Sequence, residues 1–142
     1  MDLDLTDLGE YIAAALPNEV LSAGVVRGEL TVRVRRETIV KVLTFLRGDA
    51  NCQFQQLVDL CGADYPEREN RFEVVYHLLS LTLNHRVRLK VETNEEEPVP
   101  TASTVFSVAN WFEREAWDLY GIVFADHPDL RRILTDYGFE GH

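Results

Sequence analysis

Glu113 and Glu115 flank Arg114, and Asp118 follows four residues after that arginine. Paired carboxylates in a pocket can divide general-acid and general-base work. Two residues apart on a helix, however, Glu113 and Glu115 do not face each other, so the spacing favours a solvated helix face. The histidines, at 77, 85, 127 and 142, are scattered, and no C-x-x-C or H-x-x-x-H spacing occurs. The sequence therefore predicts no zinc site, and two cysteines are too few for an iron–sulfur cluster. His77 lies in an apolar run and reads as a core histidine, and Cys52 and Cys61 read as small buried hydrophobes. No G-x-S-x-G elbow, G-x-G-x-x-G turn or P-loop is present. Nucleophilic catalysis and flavin or nicotinamide binding by this chain are thus unsupported.

The elements that must position these residues follow from periodicity. Leu5, Leu8, Ile12 and Leu16 share one helical face, and Pro17-Asn18 ends that helix. Val20–Val26 and Leu30–Val34 read as strands of a hairpin with Gly28-Glu29 in its turn. Residues 36–46 return to helical spacing, 54–60 fit either strand or short helix, and 62–67 read as a loop. Residues 71–83 and the alternating Val87, Leu89 and Val91 make a second hairpin with one polar side. The segment Glu95–Pro100 is acidic and proline-bounded, which disfavours regular structure. Residues 104–120 form a strong helix, with Val105, Val108, Phe112, Ala116 and Leu119 at steps of three and four. Ser103 or Thr104 would cap its start and Gly121 would close it in a left-handed conformation. Arg114 and Asp118 can pair weakly across one turn. Pro128 suits the first turn of a short helix through Leu134. The predicted class is α+β with a mostly antiparallel or mixed sheet, as residues 1–100, followed by a helix and irregular tail, 101–142, in the same domain.

Composition narrows the function classes. The 142 residues carry 14 Lys plus Arg against 24 Asp plus Glu, a net charge of −10. Phosphate-dominated affinity needs clustered cations, so nucleic acid is a poor partner, and so is an anionic lipid surface. No run approaches the roughly 18 apolar residues of a membrane span. The N-terminus, Met1-Asp2-Leu3-Asp4-Leu5, resembles neither a signal nor a transit peptide, which predicts a cytosolic chain.

From Asn110 onward the chain is dense in Trp, Tyr, Arg and turn residues, the types enriched at interface hot spots. By spacing alone, Trp111, Trp117 and Tyr120 suit a core as well as an interface. The ordered string Glu113-Arg114-Glu115, Trp117-Asp118-Leu119-Tyr120-Gly121-Ile122 and Phe124 continues through His127-Pro128-Asp129-Leu130-Arg131-Arg132-Ile133-Leu134. It ends with Asp136-Tyr137-Gly138-Phe139 and Gly141-His142. This resembles the signature of the thirty-kilodalton subunit family of respiratory complex I, called the C subunit of the NADH–quinone oxidoreductase in bacteria.

The resemblance implies a subunit of the hydrophilic peripheral arm of a proton-translocating enzyme. It implies a place on the cytoplasmic side of the bacterial inner membrane, or on the matrix side in mitochondria. It implies no catalytic residue, metal or cofactor in this chain, since FMN and the iron–sulfur clusters belong to other subunits. The signature residues, Arg131 and Arg132 among them, would contact a partner of the forty-nine-kilodalton type (the D subunit) and other arm subunits. The equivalent subunit of a membrane-bound nickel–iron hydrogenase, or of a related quinone-linked dehydrogenase, is the alternative on the same motif. A stand-alone enzyme using Glu113, Glu115 and His127 is the reading from a different class. The family's motif continues beyond the Gly-His pair, so a C-terminal tail is expected to be missing here.

Overall fold

The computed structural model describes residues 3–127. Helix α1 (Leu5–Ala15) begins where the Asp4 carboxylate accepts the Asp7 N–H at 2.8 Å, and it buries Leu8, Gly9 and Ile12. Strands β1 (Val20–Val26) and β2 (Glu29–Val34) are joined by Arg27 and Gly28, at φ 53° and 79°. Two left-handed residues match the twist of the flanking strands, so the turn lies one residue earlier than predicted and Glu29 opens β2. A single 3₁₀ turn (Arg36–Thr38) leads into α2 (Ile39–Gly48), which buries Ile39, Val42, Leu43 and Leu46.

Strand β3 (Gln56–Asp64) resolves the ambiguous segment as a strand and runs into the predicted loop. It pairs antiparallel with β4 (Phe72–Ser80) from Gln56 opposite Leu79 to Asp64 opposite Phe72, with a bulge between Leu57 and Asp59. The chain turns at Leu81–Asn84, with Asn84 at φ 56°, into β5 (His85–Thr93). The five strands lie in the order β1-β2-β5-β4-β3, antiparallel except that β2 and β5 run parallel. Helix α2 carries the chain across to the far edge, and the β4–β5 hairpin folds back into the gap. The class is α+β with a mixed sheet.

Period-two alternation gives the sheet two unlike faces. Leu30, Val32, Tyr76, Leu78, Val87 and Leu89 join the buried residues of α1 and α2 in one core. The other face presents Thr31, Arg33, His77, Arg88, Lys90 and Glu92. His77 is therefore no core histidine: its side chain is 40% exposed on the charged face. Cys52 is buried as predicted, but Cys61 is exposed.

The acidic loop also differs from expectation. Val99–Pro100 forms β6, parallel to β7 (Phe124–Ala125). Pro100 is tolerated because the ladder bonds come from its neighbours: Val99 N–H to Val123 O at 2.9 Å and Thr101 N–H to Ala125 O at 3.0 Å. Helix α3 (Ala109–Tyr120) connects these two short strands. It starts five residues later than predicted, at Ala109, with Val108 at the N-cap and no side-chain cap bond; the Ser103 hydroxyl instead pairs with the Thr101 hydroxyl at 2.9 Å. Its end is as predicted: Gly121 sits at φ 79° and donates its N–H to Trp117 O at 2.8 Å. Gly62 lets this end approach β3, since a Cβ there would lie 2.8 Å from a Tyr120 ring carbon and 2.9 Å from Ile122 Cδ1.

Candidate functional site

The β6–α3–β7 unit carries the described part of the C-terminal signature. Its centre is Glu113, which is fully buried and not on a solvated face. Its Oε1 accepts the Thr101 hydroxyl at 2.6 Å and its Oε2 accepts the Ala102 N–H at 2.7 Å. These bonds tie α3 to the segment leaving β6. Burial pushes the Glu113 carboxyl up to about 7, against the opposing pull of the Ala102 N–H and the Thr101 hydroxyl. The Tyr76 hydroxyl is buried without a hydrogen-bond partner among the described residues, and its pKa is raised by burial and by the Glu113 charge. His127 closes the unit from the other end. It is fully buried, with Nε2 2.8 Å from the Asn110 carbonyl oxygen and 3.9 Å from Glu113 Oε1. Glu113 can hold a proton near neutrality, and the bonds around it are those of a structural tie between one helix and two strands.

Apolar counting misplaced the buried stripe of α3. Ala109, Glu113 and Ala116 face inward, with Phe112, Trp117 and Tyr120 partly buried against the core. Val108 and Leu119, expected inside, are outside. Trp111 is 64% and Leu119 73% exposed. Arg114, Glu115 and Asp118 are also exposed, and among the described residues no ion pair joins Arg114 to Asp118. Glu113 and Glu115 thus occupy opposite environments and form no acid–base pair. Of the remaining signature positions, Gly121 and His127 are described. Pro128, Asp129, Arg131, Arg132, Asp136, Tyr137 and Gly138, with the predicted helix 128–134, lie outside the described residues.

Two clusters on the open sheet face escaped sequence reasoning because cross-strand pairing assembles them. Glu73 is 1% exposed, and its Oε2 lies 3.0 Å from Arg33 Nη1 and 3.2 Å from Arg68 Nη1. Its Oε1 is 3.4 Å from Lys90 Nζ. Beside β3, the donor atoms of Asp59, Cys61 and His77 all lie within 4.8 Å of one another. Only strand register could have shown either cluster.

The family described as "Respiratory-chain NADH dehydrogenase, 30 Kd subunit" matches residues 32–142. The chain belongs to this family. It is 65% identical over 139 residues to the NADH-quinone oxidoreductase C subunit of Paramagnetospirillum magneticum, covering 97% of this chain and 70% of that protein. It is 60% identical to the corresponding C subunit of Xanthobacter autotrophicus, covering all of this chain and 68% of that one. Among solved structures, the trypsin-resistant fragment of Nqo5 superposes with a TM-score of 0.72 at 33% identity, over 84% of this chain and 94% of the fragment. A chain of the archaeal membrane-bound sulfane sulfur reductase superposes with a TM-score of 0.70 at 20% identity, over 93% of this chain and 90% of that one, a likeness of fold alone. The family resemblance read from the C-terminal signature is borne out. No helix among the described residues is long and apolar enough to cross a membrane.

Proposed function

We propose that this chain is a structural and assembly subunit of the peripheral arm of a proton-translocating NADH–quinone oxidoreductase. It faces the cytoplasm in a bacterium and holds no FMN, iron–sulfur cluster or quinone itself. Electrons pass from NADH to quinone through neighbouring subunits. The observation that carries the reading is the match to the C-subunit proteins along the whole chain, at 60–65% identity. The buried acid fits a scaffold, since Glu113 is spent on tying α3 to β6.

The outer side of α3 supplies a docking surface. Val108, at the N-cap of α3, and Trp111 and Leu119 within it are 47%, 64% and 73% exposed. Large apolar side chains that the fold leaves uncovered suit a protein partner, and a tryptophan is the residue type most often found as an anchor. The occupant we assign is the D subunit, the partner of the forty-nine-kilodalton type.

Purified D subunit mixed with tagged chain tests this. Wild type should capture it, and the double change Trp111→Ala and Leu119→Ala should weaken capture by about tenfold or more while leaving thermal unfolding unchanged. Capture that is absent in wild type, or unaltered in the double variant, would refute the assignment.

A further inference from the structure

We propose that Asp59, Cys61 and His77 form a binding site for a zinc-class divalent transition metal on the open face of the sheet. Asp59 and Cys61 are two residues apart on β3, so their side chains emerge on one face. His77 stands directly opposite Asp59 on β4, and Val75 stands opposite Cys61. The three side chains therefore converge from two hydrogen-bonded strands, a rigid support for ligands. Their donor atoms lie within 4.8 Å of one another, and His77 Nε2 is 3.7 Å from Asp59 Oδ1. With metal–ligand bonds of about 2.0–2.3 Å, neighbouring ligand atoms of a tetrahedral zinc ion stand roughly 3.3–3.7 Å apart.

Two further observations point to a cation. The bulge between Leu57 and Asp59 alters the strand at the position that sets Asp59, and bulges commonly re-aim a side chain. Asp59 Oδ1 is shielded from solvent and has no hydrogen-bond partner among the described residues. The nearby cations are already engaged. Arg88, opposite His77, reaches Glu29 at 2.9 Å and Thr31, and Lys90, opposite Val75, reaches Glu73. The oxygen thus faces a thiol and an imidazole, and among the described residues no ammonium or guanidinium occupies it.

Donor chemistry selects the ion. One sulfur, one imidazole nitrogen and one carboxylate oxygen suit zinc, cobalt or nickel, whereas magnesium and calcium require oxygen ligands. The metal must displace the Cys61 thiol proton. Three protein ligands leave a fourth position for water or for a group from a neighbouring protein. The site stands independently of the assembly role.

The test is titration of the full chain with Co²⁺ as a spectroscopic substitute, followed by competition with Zn²⁺. Wild type should bind stoichiometrically and show a sulfur-to-cobalt charge-transfer band that Zn²⁺ removes. Cys61→Ser should abolish the band. Cys52→Ser should keep it, because Cys52 is fully buried. His77→Ala should weaken Zn²⁺ binding by about tenfold or more, with circular dichroism showing each variant folded. No stoichiometric binding by folded wild type, a band that survives Cys61→Ser, or unaltered affinity in His77→Ala would each overturn the site.

Discussion

Glu73 and Glu113 are both withdrawn from water, at 1% and 0% exposure, and their surroundings drive them in opposite directions. Burial alone would push both carboxyls up. At Glu73 that push is overcome by Arg33, Lys90 and Arg68, which hold the carboxyl below the usual range. At Glu113 the partners are a hydroxyl and a peptide N–H, and burial pushes the pKa up to about 7. The contrast is between charges and dipoles as partners. Three cations on an open sheet face, each still touching water, stabilise an ionised carboxylate. Two neutral donors in a sealed helix–strand junction satisfy both oxygens yet leave the charge poorly compensated. The first arrangement knits β2, β4, β5 and the Arg68 loop together; the second pins α3 to the end of β6.

Glu113→Gln should give the larger effect, with a sign set by pH. The folded carboxyl, at about 7, holds its proton more tightly than the ordinary 4.5 of the unfolded chain. The folded state therefore binds more protons between those values. Its contribution to stability is fully present below 4.5 and is lost as pH rises through about 7. The span amounts to about 3 kcal/mol. Glutamine stays neutral, can accept the Ala102 N–H and can donate to the Thr101 hydroxyl. Urea unfolding should find variant and wild type similar near about pH 5, and the variant more stable by roughly 2–3 kcal/mol near about pH 8.5. A constant difference across that range would show that Glu113 is not the titrating group.

Glu73→Gln should behave in the reverse sense and more weakly. Its folded pKa is lowered, so its stabilisation is present above the ordinary 4.5 and disappears as pH falls through the folded value. Breaking a buried ion cluster by removing one partner can cost about 3–5 kcal/mol, but Arg33 and Arg68 remain 37% and 40% exposed and can turn to water. The expected loss is therefore about 2 kcal/mol at neutral pH. The same unfolding series should show variant and wild type converging in acid. A loss of equal size at low pH would mean that packing, not charge, holds this cluster.

The two carboxylates also mark where sequence reasoning reaches and where it stops. Alternation along β5, the amphipathic α1 and the left-handed Gly121 were legible because each depends on neighbours within one or two turns. The buried face of α3 was not, because one of its core positions is Glu113, which apolar counting excludes by residue type. What makes it a core position is a hydroxyl and a peptide N–H supplied by Thr101 and Ala102, twelve and eleven residues earlier. Glu73 was equally hidden, since its partners arrive from β2, β5 and a loop. The parallel pairing of β2 with β5 depends on where α2 delivers the chain, which no local pattern encodes. The family signature singled out Glu113 only as a partner-contact position, by resemblance, without showing what the residue touches.

Tyr76→Phe is the smallest change and sharpens the account of the Glu113 pocket. The Tyr76 hydroxyl is sealed in the core with no hydrogen-bond partner among the described residues, and Glu113 acts on it through its charge. Removing a buried hydroxyl that makes no bond relieves its desolvation cost and leaves little empty volume, so stability should hold or rise by about 1 kcal/mol or less. The pocket also loses a polar atom that could orient toward an ionised carboxylate. The pH at which the loss of stability levels off should therefore move upward relative to wild type, and the stability gain should be largest where Glu113 is protonated. Unfolding curves for Tyr76→Phe across the range used for Glu113→Gln would measure both effects. A clear destabilisation would mean that the hydroxyl does find a partner in solution.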